Sequence, residues 1–185
     1  MATKLGVYNM ACRSLGAKTL SSLTDDVKQR RALDDVYDYI RDEVLKIHPW
    51  NFAIKRSDLT EITATDPEYE WDTWYTLPSD CLRVLDIEDG ADFVVEGGVL
   101  LTNESTAEIK YIAQITDESE FSVEFAIALA ARLAAEISYD VTGNANMYEL
   151  KMKEYMTKLK YARSIDGQEG TVQKTEDTPW IDDRA

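Results

Sequence analysis

The chain has 185 residues, of which 44% are hydrophobic, so it is long enough for one domain with a sizeable core and too apolar for general disorder. Its formal net charge is −15, from 35 acidic and 20 basic side chains, which argues against a large basic surface for nucleic acid. No apolar run reaches the roughly 18 residues that cross a bilayer, and the first residues lack the apolar core of a signal peptide, so we expect no membrane contact.

Two helices are predicted before residue 50. The first covers about residues 3–15, with Thr3 as its N-cap and Gly16 at its end. The second covers about residues 25–48, with Thr24 or Asp25 as its N-cap. Its apolar residues recur at the three- and four-residue spacing of a half-buried helix, and they are Leu33, Val36, Tyr37, Ile40, Val44 and Ile47. This pattern predicts a long helix with one buried side.

A corner follows at the end of the second helix. Pro49 fixes its own φ and pushes His48 out of the helical region, so the helix must end at about His48. Trp50 and Phe52 then alternate with polar Asn51, as in a half-buried strand. We interpret His48, Pro49, Trp50 and Phe52 as a structural joint between a helical layer and a sheet. Trp50 is its core anchor, and His48 is expected to satisfy the last helix carbonyls.

The middle of the chain, about residues 50–113, is predicted to be a small antiparallel β-domain. A strand is expected over residues 51–62, and a final strand over residues 107–112. The stretch FVVEGGVLLT reads as a hairpin, because Gly97 and Gly98 suit the two-residue turn that matches strand twist. The β-domain is thus inserted between the first two helices and the helices that follow.

Two more helices are predicted, over about residues 121–142 and 145–165. The first is rich in alanine and apolar nearly all round, which predicts a central position, and Gly143 ends it. The second has a basic surface and an inner stripe of Tyr148, Met152, Tyr155, Leu159 and Ala162. The predicted fold class is α+β. It is a four-helix bundle, two helices before and two after the β-insertion, with residues 1–165 as one domain and residues 166–185 as an extended C-terminal tail.

The sequence offers little for catalysis. His48 is the only histidine, and the two cysteines, Cys12 and Cys81, match no metal or redox spacing. We therefore predict no catalytic, metal-binding or cofactor-binding residues. Acids are abundant, however: residues Glu61 to Glu96 include eleven acids and a single base. Because paired carboxylates hydrolyse glycosidic bonds, a glycoside hydrolase acting on a bacterial surface polysaccharide is the alternative function.

Several stretches together carry a resemblance to a known family. They are the N-terminal helix ending in SLG and followed by SSLTD, YDYIRDEVLKIHPWNFAIKRSDL, YEWDTWYTLPSDCLRVLDI, FVVEGGVLLT with IKYIAQITD, FSVEFAIALAARLAAEISYDVTG, and YARSIDGQEG. In this combination, over about residues 5–170, the chain resembles the phage tail tubular protein A family. These proteins are the head-to-tail adaptors, or connectors, of short-tailed phages.

The resemblance implies a structural protein of the virion. Such adaptors form a ring, typically of twelve copies, beneath the portal at the head–tail junction, after synthesis in the host bacterial cytoplasm. The implied partners are the portal protein, the tail nozzle protein and double-stranded DNA, which passes through the lumen without specific binding. An acidic lumen suits this role, because like charge keeps DNA mobile. The tail lies beyond the resemblance, and we interpret Pro179, Trp180 and Ile181 as its contact with the portal or a neighbouring subunit.

Overall fold

The computed structural model describes residues 1–63 and 70–169 of the chain. Within these ranges the fold is mixed α+β, with five helices and two antiparallel sheets. Two helices precede the sheets, α1 (Lys4–Ser14) and α2 (Lys28–Ile47). Three follow them, α3 (Val123–Glu136), α4 (Ser138–Thr142) and α5 (Asn146–Glu169). This α+β class is the one that the sequence predicts.

The first helix has the predicted ends, whereas the start of the second was predicted too early. The Thr3 hydroxyl accepts a hydrogen bond from the Gly6 N–H, and Gly16 adopts a φ of +68° just after α1. Neither Thr24 nor Asp25 caps α2, which begins at Lys28. The Asp25 carboxylate instead accepts hydrogen bonds from the backbone N–H groups of residues 21 and 22. An aspartate that bonds to nearby backbone competes with helix formation, so the helix starts later.

Most of the predicted stripe of α2 is buried. Leu33, Tyr37, Ile40 and Val44 are at most 6% exposed, whereas Ile47 is 39% exposed. Ile47 stays at the surface because the helix stops after it and the chain turns away. Two residues outside the stripe, Arg41 and Leu45, are also buried. The side of α2 that faces the core is therefore wider than a single stripe.

The middle of the chain forms two sheets, where the sequence suggested one. The first sheet has the order β1-β7-β4 and contains β1 (Ile54–Asp58), β4 (Cys81–Ile87) and β7 (Glu108–Ala113). The second has the order β2-β3-β6-β5 and contains β2 (Thr60–Glu61), β3 (Thr73–Thr76), β5 (Phe93–Glu96) and β6 (Val99–Thr102).

The strand predicted over residues 51–62 is wrong in its extent. Asn51–Ala53 is a single 3-10 turn, and the strand is interrupted at Leu59, where the chain passes from the first sheet to the second. The hairpin prediction is confirmed, because β5 pairs with β6 across a turn in which Gly97 and Gly98 have φ values of +57° and +85°. The final strand lies one residue later than predicted.

The helix predicted over residues 121–142 is divided at Ile137 into α3 and α4. Ser122 caps α3 through the Phe125 N–H, and Gly143 ends α4 with a φ of +68°. Helix α3 packs against α1, α2 and α5, and its six alanines are all buried, which fits the central position predicted for it. Helix α5 runs to Glu169, four residues beyond the predicted end.

Candidate functional site

Trp50 anchors the connection between α2 and the first sheet. Its side chain is 0% exposed, and its ring meets Phe125 of α3 edge-on with the centroids 5.1 Å apart. The indole Nε1–H donates a hydrogen bond of 2.9 Å to the carbonyl of Val44 in the last turn of α2. Trp50, rather than His48 as predicted, thus satisfies a carbonyl that the helix end leaves free. A buried indole N–H needs such a partner, so packing and capping are achieved together.

His48 instead bonds to the end of α5. Its Nε2 lies 3.0 Å from the Oδ2 of Asp166, and its side chain is 16% exposed. Asp166 also accepts a 3.0 Å hydrogen bond from the Asn51 backbone N–H, and the Asn51 amide donates to the Asp166 carbonyl at 2.6 Å. The expectation that His48 satisfies the last helix carbonyls was therefore wrong, because its partner is a side chain 118 residues later in the chain.

Asp166 is the residue of this joint that the sequence analysis missed. It was assigned to the tail, but it lies in the last turns of α5 and is only 6% exposed. A signal was present, since Asp166 follows Ala162 by four residues and Leu159 by seven, and so continues the inner stripe. A carboxylate on a buried stripe needs a donor, and the single histidine was available to supply one.

The other predicted joint residues lie close to Trp50. Phe52 stacks on Trp50 with the centroids 6.3 Å apart and contacts Phe125 at 5.1 Å, and Phe121 closes the cluster. Pro49 is half-buried beside them. The structure therefore brings His48, Pro49, Trp50 and Phe52 together with α3 and α5. The predicted contact residues Pro179, Trp180 and Ile181 lie outside the described residues.

A second feature is an acidic cleft of about 620 Å³ beside α2. Its acids are Asp34, Asp35, Asp38, Asp42 and Glu118. The Tyr8 hydroxyl donates to Asp34 and the Tyr37 hydroxyl donates to Glu118, both at 2.8 Å. Burial, together with these acceptors, raises the pKa of both tyrosines far above the ordinary value, so they stay protonated donors. Lys4 and Arg41 also line the cleft, so its acids outnumber its bases by five to two and its net charge is negative.

A smaller cleft, of about 280 Å³, lies on the first sheet. Glu88 and Glu108 line this cleft, and the negative charges of Glu88 and of Asp58 raise the pKa of the Glu108 carboxyl. Asp80, elsewhere on this sheet, shows the reverse effect. Hydrogen bonds from Lys55 at 2.8 Å and from Tyr111 at 3.1 Å lower the pKa of its carboxyl. A general acid needs a raised pKa, so the Glu108 carboxyl comes closer to this requirement than the Asp80 carboxyl does.

Within residues 1–63 and 70–169, no group of three or more His, Cys, Asp or Glu side chains could hold a metal ion. In that described part, no helix is long and apolar enough to cross a membrane. No protein-family model matches the sequence, and no curated protein matches it significantly.

Proposed function

We propose that this protein is a head-to-tail adaptor of a short-tailed phage and not an enzyme. It forms a ring, of about twelve copies by the resemblance, beneath the portal. The ring joins the DNA-filled capsid to the tail nozzle and leaves a channel for DNA ejection. The proposal rests on the resemblance of stretches over about residues 5–170, and its site of action is the head–tail junction of the virion.

The observation that carries this proposal is the joint built by the HPWNFA stretch. Trp50 bonds to α2, meets Phe125 of α3 edge-on and adjoins His48, which bonds to α5. A ring subunit needs its contact surfaces held at fixed relative positions, because closure of a ring depends on the angle between neighbours. The joint fixes the first sheet on the helices in this way. We propose that α1, α2, α3 with α4, and α5 act as the predicted four-helix bundle.

The charge of the chain also suits a DNA channel. With a net charge of −15 and five acids around one cleft, the chain repels phosphates and does not trap them. Double-stranded DNA could then move past a ring of such subunits without binding. We expect no affinity for duplex DNA at physiological salt in a filter-binding assay.

Ring formation can be tested with the purified chain and a portal ring of a short-tailed phage. We expect native mass spectrometry or negative-stain images to show a closed ring, either alone or on the portal. A protein that stays monomeric and never joins a portal ring would refute the adaptor proposal. Filter binding of duplex DNA by the monomer would weaken it further.

The tail provides a finer test of the same proposal. Deleting residues 171–185 should leave the secondary structure intact and weaken attachment to the ring or portal. Within the tail, Trp180→Ala with Ile181→Ala should reproduce most of this loss, since buried aromatic anchors dominate interfaces. Gln173→Ala is the matched control and should attach normally. Unchanged attachment of the deleted chain would exclude the tail as a contact.

The hydrolase remains a second candidate because of Glu108 and its neighbours. Only Glu88 of this group lies in the stretch from Glu61 to Glu96 that the sequence suggested. If the chain hydrolyses a bacterial surface polysaccharide there, Glu88→Gln and Glu108→Gln should each abolish sugar release. Asp72→Asn, at an exposed acid next to the second sheet, should not. Absence of turnover on a broad polysaccharide panel would remove this candidate.

A further inference from the structure

A groove runs along α5 beside the joint. It has a volume of about 340 Å³ and is lined by His48, Met156, Leu159, Lys160, Arg163 and Ser164. We call it the α5 groove. Leu159 is buried at its floor, whereas Met156 is 56% exposed, although thioether side chains are usually packed away. An exposed methionine is a common feature of surfaces that receive an apolar side chain, because its flexible thioether adapts to what it contacts.

The two cations of the α5 groove are free to pair with something else. Within residues 1–63 and 70–169, neither Lys160 nor Arg163 forms an ion pair. On another face of α5, by contrast, Lys151 and Lys158 both pair with Glu154, at 2.9 and 2.6 Å. The groove therefore combines an apolar floor with two unmatched positive charges. Such a groove is complementary to an acidic segment that carries a large apolar side chain.

The C-terminal part of this chain contains such a segment. The sequence Pro179-Trp180-Ile181-Asp182-Asp183 places two apolar side chains directly before two acids, in a chain that is otherwise polar after residue 172. The two aspartates equal the two cations in number and carry the opposite charge. The indole suits both the Met156 thioether and a neighbouring guanidinium or ammonium group, through sulfur–aromatic and cation–π contacts.

The segment can also reach the α5 groove. Helix α5 ends at Glu169, and Trp180 follows eleven residues later, which allows a span of up to about 36 Å. Met156 lies thirteen residues back along the helix, a distance of about 20 Å. A segment tethered this closely has an effective concentration on the order of millimolar at the groove, so even weak complementarity gives occupancy.

We propose that residues 179–183 dock in the α5 groove of the same chain, with Trp180 against Met156 and the two aspartates on Lys160 and Arg163. This docking occurs in the free chain and does not depend on the adaptor role. If the chain is an adaptor, the segment must leave the groove before it can contact a portal or a neighbour.

The test uses the full chain labelled with 5-fluorotryptophan. Its four tryptophans give four fluorine resonances, of which Trp180→Phe identifies one and Trp50→Phe another. We expect the Trp180 resonance to be displaced from that of free 5-fluorotryptophan and to show little sensitivity to replacement of H2O by D2O. The Trp50 resonance, from a side chain that is 0% exposed, serves as the internal reporter of folding.

Charge reversal then tests the site. Lys160→Glu with Arg163→Glu should lower the ratio of docked to free Trp180 by at least roughly tenfold and leave the Trp50 resonance in place. Asp182→Lys with Asp183→Lys should do the same from the other side, and all four changes together should restore docking. Lys18→Glu with Lys28→Glu is the matched control. Both lysines are exposed, and Lys28 begins α2, about 30 Å from its His48 end, so docking should persist.

Three results would overturn the proposal. One is a Trp180 resonance at the free position in the unaltered chain. Another is docking that survives both charge reversals. The third is a docked fraction that falls on hundredfold dilution, because that would assign the groove to the tail of a second copy. If the groove variant also displaces the Trp50 resonance, the tail variant decides, since its changes come after the end of α5 at Glu169.

Discussion

Replacing Trp50 with alanine tests the joint directly. The change removes a fully buried side chain, and such truncations of Phe or Trp cost about 3–5 kcal/mol in the free energy of unfolding. It also leaves the Val44 carbonyl without its 2.9 Å donor, a loss of about 1–3 kcal/mol where water cannot enter. The two effects overlap, so we expect a total of about 4–5 kcal/mol.

The measurement is urea denaturation followed by far-ultraviolet circular dichroism, which does not depend on the indole that is lost. Trp50→Phe separates the two effects. It keeps most of the packing and removes only the hydrogen bond, so it should cost about 1–3 kcal/mol. Tyr39→Ala is the control. Tyr39 lies in α2, as Val44 does, but is 80% exposed, so the free energy of unfolding should change by no more than about 0.5 kcal/mol. A loss below about 1 kcal/mol for Trp50→Ala would refute the assignment of Trp50 as the anchor.

Three further changes probe α5 and the hairpin in the same denaturation assay. Asp166→Ala leaves the Asn51 N–H without an acceptor and should cost about 1–3 kcal/mol, whereas exposed Gln168→Ala should be neutral. Two lysines lower the pKa of Glu154, so its contribution is present at neutral pH and is lost as the pH falls through the folded value. The roughly 0.5 kcal/mol difference from Glu154→Gln at pH 7 should therefore shrink as the pH falls below the ordinary glutamate pKa of about 4.3, and it should vanish once the pH is below the lowered value. Gly98→Ala, at a φ of +85°, should cost about 1–2 kcal/mol, whereas Gly167→Ala, in open helical space, should stabilise by up to about 1 kcal/mol. Equal effects of the two glycine changes would contradict the turn geometry.

The parts of the fold that depend on local chemistry could be predicted from the sequence. Pro49 ended α2 where expected, Gly16 and Gly143 ended their helices, and the paired glycines formed the hairpin turn. Each of these residues restricts or permits a backbone conformation by itself, so the surrounding fold cannot change the outcome much.

The parts that depend on distant partners could not be predicted. Nothing near Leu59 shows that the chain leaves one sheet for another there, because that choice depends on which strands, β7 or β3, are available to pair. The role of His48 was misread for the same reason, since Asp166 is close only after α5 has packed. In contrast, burial of Trp50 was predicted correctly, because a large apolar side chain at a helix end has few other places to go.

The bond between His48 and Asp166 also affects how the protein can be synthesised. It joins residues that are 118 positions apart, so the joint cannot close until nearly all of α5 has left the ribosome. Until then, α3 lacks its α5 partner, and an alanine-rich apolar surface stays open to water and to other nascent chains. Contacts of such long sequence separation also slow folding, because the loop between them must be ordered first. A chaperone that covers α3 during this interval would raise the yield of folded chains.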